Sequence, residues 1–78
     1  MSKWIKYVYI NDVLKYQPEV IDVEKLLSII AQVTFLKQAG EDITLNIAGD
    51  DVMFYTKQYI IIRKLSDRVV THKYIRKE

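Results

Sequence analysis

This 78-residue chain contains no cysteine. Disulfides, thiolate metal sites and thiol chemistry are therefore excluded, and with them the usual staples of a small secreted scaffold. It has one proline and two glycines. That scarcity argues against flexible linkers and low-complexity tracts, and neither is found. A single histidine, His72, rules out a two-histidine metal centre within one chain. The glycines Gly40 and Gly49 are too far apart to build a phosphate-binding loop. No apolar run reaches bilayer length. The densest stretch, residues 26–36, is broken by Ser28, Gln32 and Thr34. The opening Met-Ser-Lys-Trp lacks the apolar core of a signal peptide, so the expected compartment is the cytoplasm.

A chain of this length makes one domain, expected over residues 1–78. It buries only about 60% of its unfolded surface, so packing density and oligomerisation are its routes to stability. Half of its residues are apolar. Ile, Lys and Tyr dominate the composition, a bias that fits the AT-rich coding of many phages and mobile elements.

Charge is unevenly placed. Residues 1–55 carry five basic and eight acidic side chains, whereas residues 56–78 carry seven basic and two acidic ones. A cationic last third interleaved with tyrosines suits an anionic partner.

Residues 3–10 are rich in aromatic and β-branched side chains and read as a strand. Asn11-Asp12 tolerates positive φ, so a tight hairpin can lead into residues 13–16, and Pro18 closes the unit. Residues 22–39 read as a helix. Asp22 serves as N-cap, Glu24 sits in the first turn and Lys37 in the last, and Gly40 stands where a left-handed residue is wanted. Val23, Leu26, Leu27, Ile30, Val33 and Leu36 follow helical spacing, and Ile29 and Phe35 widen the stripe. A helix apolar around so much of its circumference needs cover on more than one side. Ile29, Val33, Phe35 and Leu36 are the expected oligomer or partner face, with the N-terminal hairpin as the alternative cover.

After Gly40 the period changes to two. Ile43, Leu45 and Ile47 alternate with Thr44, Asn46 and Ala48. A turn at Gly49-Asp50 returns through Val52–Thr56. Residues 59–65 follow as a strand whose three isoleucines suggest burial on both faces. After a turn at Ser66-Asp67, residues 68–75 read as a strand, with a short Ser66-capped helix as the alternative. The fold class expected is α+β: an antiparallel meander of about four to six short strands with one long helix packed on it, in the order β(β)-α-β-β-β-β.

The chemistry-bearing inventory is thin. His72 sits beside Lys73 in an alternating run and reads as a surface or part-buried side chain. An enzymatic role for it would need a carboxylate from another subunit. The serines have no nucleophile context. The pairs Glu41-Asp42 and Asp50-Asp51 stand at opposite ends of an extended strand, too far apart to share an ion, and they read as solvated loop charge. No cofactor, metal or catalytic residue is expected. The candidate anionic-partner surface is Lys57, Tyr59, Arg63, Lys64, Arg68, His72, Lys73, Tyr74 and Arg76, flanked by Tyr55 and Lys77. Cations that neutralise phosphates and rings that stack on bases are the ingredients of a nucleic-acid platform. They equally solubilise a sheet or meet an acidic protein. Trp4, Tyr7, Tyr9 and Tyr16 cluster near the N-terminus, as interface contacts or as cross-strand pairs.

The expected function is that of a non-enzymatic binding protein, homodimeric and acting through protein–protein contacts. It would be an adaptor, regulator or inhibitor of the phage or mobile-element type. The alternative is a nucleic-acid-binding module using the basic C-terminal third.

Overall fold

The computed structural model describes residues 3–49 and 56–77. Six strands and one helix follow in the order β1 (Lys3–Ile10), β2 (Val13–Leu14), β3 (Glu19–Asp22), α1 (Val23–Gln38), β4 (Ile43–Gly49), β5 (Thr56–Lys64) and β6 (Val69–Lys77). The architecture is α+β: one helix packed on an antiparallel sheet. The strand order is β2-β1-β6-β5-β4, with β3 also pairing to β1. The C-terminal segment is strand and not helix. Its β-branched Val69, Val70 and Thr71 lose more rotamer freedom in a helix than on a pleat, where they also pack well.

The first hairpin turns through Asn11 (φ 49°) and Asp12 (φ 67°), both left-handed. Two central residues at positive φ make the turn that matches strand twist, and Asn and Asp tolerate it best. Ile10 and Val13 pair directly across it. The outer edge of β1 is then shared by two short strands. β2 takes Tyr9 and Ile10, and β3 takes Lys3 to Lys6. The break between them contains Pro18, which has no N–H to give the ladder.

Asp22 ends β3 and caps α1, its carboxylate oxygen accepting the Lys25 N–H at 2.9 Å. The helix stops in a Schellman motif. The Gly40 N–H donates to the Lys37 carbonyl at 3.1 Å and the Glu41 N–H to the Leu36 carbonyl at 3.2 Å. Gly40 holds φ 95°, a conformation strained for any residue with a Cβ.

Period-2 alternation combined with the register divides the sheet into two faces. Even residues of β1 and β6, odd residues of β4 and, from Gln58 onward, odd residues of β5 face α1. Trp4, Ile21, Leu26, Ile43, Tyr59, Ile61 and Tyr74 form the core there. Ile29, Ile30, Val33, Leu36 and Leu45 pack against it. The Trp4 and Tyr59 rings meet at 5.4 Å, tilted by 49°, and the Arg76 guanidinium lies 5.3 Å from the Trp4 ring.

Four expectations need correction. Three strands, not four, follow the helix among the described residues. Thr56 opens β5, which runs to Lys64; Lys57 is the extra residue of a bulge, since Ala48 pairs with Gln58 and Gly49 with Thr56, and the chain continues through it instead of turning. The rest of the expected 52–56 arm lies outside the described residues, as does Asp50 of the turn before it. Secondly, β5 is not buried on both faces. Ile61 is buried under α1, while Ile60 and Ile62 point to the face away from α1, and both are half-buried. Thirdly, the strand β3 was not expected. Finally, the N-terminal hairpin does not fold over the helix. It extends the sheet, and Leu27 and Phe35 remain 50% and 69% exposed. No helix among the described residues is long and apolar enough to cross a membrane.

Candidate functional site

A cleft of about 440 Å³ lies between α1 and the end of the sheet formed by the β5–β6 hairpin. It exists because sheet and helix differ in reach. α1 ends at Gln38, and the hairpin carrying Arg63, Leu65, Arg68 and Val70 continues past the cover. Ile43, Ile61 and Val70 make an apolar floor, and Ile29, Val33 and Leu36 line the helix side. These three helix residues stand at i, i+4 and i+7, so they share one stripe.

Cations ring this apolar interior. Lys6 enters from β1, Arg63 from β5 and Arg68 from the turn before β6. Arg63 is ion-paired to Glu41, the second residue past the helix C-cap, so its charge is partly offset and its position is set. Glu19, opposite Lys6 in the ladder, is bridged to Lys25 at 3.6 Å. Among the described residues no carboxylate bridges Lys6 or Arg68. The cleft therefore presents a hydrophobic interior with a net positive rim.

His72 and Tyr74 sit side by side on β6, at the cleft wall. The Tyr74 hydroxyl lies 3.5 Å from His72 Nδ1, and the rings meet edge-on at 6.4 Å. Burial lowers the His72 pKa below 6.5, and the nearby Lys6 charge lowers it further. Burial, with Glu19 as a second cause, raises Tyr74 from 10.0 to about 12. Both groups are thus neutral near pH 7. Together they offer hydrogen-bonding polarity without charge. Among the described residues no three of His, Asp and Glu converge as metal ligands.

The structure divides the expected anionic-partner surface. Arg63, Arg68, His72 and Tyr74 come together at the cleft. Tyr59 and Arg76 share the helix face, where Tyr59 is core and Arg76 covers Trp4, and Lys57 is the exposed residue of the β5 bulge. Lys64 and Lys73, with Lys77, stand on the opposite face. Arg63 and Arg68 share the cleft side, whereas Arg63 pairs with Val70 and parity turns Lys73 to the opposite face. Tyr55 lies outside the described residues. The expected partner face on the helix is divided too. Ile29, Val33 and Leu36 turn inward to the cleft, and Phe35 points to solvent. Two contributors were missed. Lys6 shares its face with Trp4, an alternation visible in β1 itself. Glu41, read as loop charge, is anchored to Arg63, a contact spanning 22 positions with no local signal.

No protein-family model matches the sequence, and neither a curated protein nor a solved structure matches it significantly.

Proposed function

We propose that this chain is a non-enzymatic binding protein, an adaptor, regulator or inhibitor, whose cleft between α1 and the β5–β6 hairpin takes a short apolar, acidic segment of another protein. The observation that carries this reading is the pairing of an apolar interior (Ile61, Val70, Val33, Leu36) with Lys6 and Arg68 at its rim, neither bridged by a carboxylate among the described residues. Apolar anchors supply affinity in a concave site, and a few convergent charges orient the ligand and select its sign. Arg63, fixed by Glu41, adds a positioned donor fork for a carboxylate. A second copy of the chain is the weaker occupant. Leu27 and Phe35, the large apolar side chains of α1 most exposed to solvent, offer far less than the roughly 800 Å² per partner of a standard interface.

The test is selection from a displayed library of random peptides. The enriched peptides should combine large apolar residues with Asp or Glu. Lys6→Glu combined with Arg68→Glu should weaken the best of them by about tenfold or more. The absence of enrichment, or equal binding by the charge-reversed variant, would reject the reading.

A further inference from the structure

The face of the sheet turned away from α1 has its own composition. Odd residues of β1 and β6, even residues of β4 and, from Gln58 onward, even residues of β5 point there. The register sets them in rows across the sheet: Tyr9, Thr71, Ile62 and Thr44; Tyr7, Lys73, Ile60 and Asn46; Ile5, Ile75, Gln58 and Ala48. Ile5, Tyr7, Tyr9, Ile60, Ile62 and Ile75 are each half-buried. The only helix among the described elements lies on the other side.

Charge says what this face suits. Its strands carry Lys3, Lys64, Lys73 and Lys77 against one carboxylate, Asp22, whose oxygen is already engaged in capping α1. Lys3 and Lys77 stand directly opposite one another in the ladder. Like charges in that relation destabilise a sheet, and an anion lying across them relieves the cost. A second copy stacked on this face would bring four lysines against four and is disfavoured. The favoured occupant is a polyanion that also carries flat apolar groups.

We propose that this face binds single-stranded nucleic acid, with the lysines on phosphates and Tyr7 and Tyr9 stacking on bases. The two rings leave β1 at i and i+2, about 7 Å apart. That is twice the 3.4 Å rise per nucleotide of a stacked strand, so adjacent bases must unstack to use both rings, which a single strand permits and a duplex does not. Lys73 is the direct cross-strand neighbour of Tyr7, placing a cation beside a stacking ring. The inference is independent of the cleft: it uses the opposite face, and either binding activity can fail while the other stands.

The experiment is fluorescence anisotropy with labelled DNA and RNA strands of about 12 nucleotides, and the matching duplex, between about 50 and 200 mM salt. Single strands should bind more tightly than duplex. Lys73→Gln with Lys77→Gln should reduce the slope of log affinity against log salt by about 1.4, the value for two lost phosphate contacts. The charge-matched pair Lys25→Gln with Lys37→Gln, both on α1, should leave the slope unchanged. Tyr7→Ala or Tyr9→Ala should each lower affinity about fivefold or more with the slope retained. Circular dichroism checks folding, and Tyr7→Leu, which keeps bulk but removes the ring, replaces any variant that unfolds. No saturable binding at 50 mM salt would overturn the proposal, as would a preference for duplex. Tyrosine variants without effect, with displacement by polyglutamate as efficient as by unlabelled strand, would overturn it in favour of an acidic protein.

Discussion

Asn11 and Val69 clasp each other through two hydrogen bonds across 58 positions of sequence. The Asn11 N–H donates to the Val69 carbonyl at 2.9 Å, and the Asn11 side-chain oxygen accepts the Val69 N–H at 2.9 Å. One residue thus turns the first hairpin and pins it to the start of β6. The sheet would otherwise be held at this corner only by the β1–β6 ladder.

Two variants separate those roles. Asn11→Gly keeps the left-handed backbone and loses the side-chain acceptor, and should cost about 0.5–1.5 kcal/mol. Asn11→Ala loses the acceptor and also strains φ, and should cost roughly 1–2 kcal/mol more. Urea unfolding followed by circular dichroism measures both. Equal losses for the two would show that turn strain contributes nothing.

The helix should respond very differently at two apolar positions. Leu26 is fully buried on the sheet-facing side of α1, and Leu26→Ala should cost about 2–5 kcal/mol, transfer and cavity terms together. Phe35 is 69% exposed, and Phe35→Ala should change stability by no more than about 0.5 kcal/mol. Repeating the Phe35 measurement across protein concentrations tests the expectation of a homodimer. Self-association through this residue would make the loss larger and concentration-dependent.

Two limbs of the pH profile should trace to neighbouring side chains of β6. His72 is harder to protonate in the fold than in the unfolded chain, because it is buried and faces Lys6. The unfolded state therefore takes up more protons, and stability should fall as pH drops through 6.5. His72→Gln should flatten that acid limb. Tyr74 resists ionisation until about 12, through burial first and Glu19 second. Its contribution is complete below 10.0 and should be lost as pH rises from there toward 12. Tyr74→Phe keeps the buried ring and should flatten the alkaline limb. Tyrosinate absorbance provides a direct check, since the Tyr74 signal should appear only near the top of that range.

The cleft was only partly legible in advance. Ile29, Val33 and Leu36 were visible as a stripe, and Arg63, Arg68, His72 and Tyr74 as members of a basic, aromatic run. Their convergence was not visible, because it depends on where the β5–β6 hairpin ends relative to Gln38. β3 was hidden for a related reason. Glu19–Asp22 has no strand pattern of its own, and its pairing exists because β1 offers an open edge. The course of β5 was obscured by Lys57 and Gln58, whose polarity resembles a turn although the strand accommodates Lys57 as a bulge and continues.

Local chemistry was enough to specify the elements whose determinants lie close together in the chain. Asn11-Asp12 accepts positive φ, Asp22 and Gly40 bracket α1, and period-2 alternation marks β4. Tertiary structure alone decided which side chains share a face. Alternation orders residues within one strand, but the parity between strands depends on register, and register is set by pairings such as Ile5 with Ile75 and Arg63 with Val70 that link distant segments. A one-residue slip would exchange Lys73 for His72 at the cleft. The partition into a cationic cleft and a lysine–tyrosine platform is therefore a property of the assembled sheet, fixed by burying Trp4, Tyr59, Ile61 and Tyr74 together under a single helix.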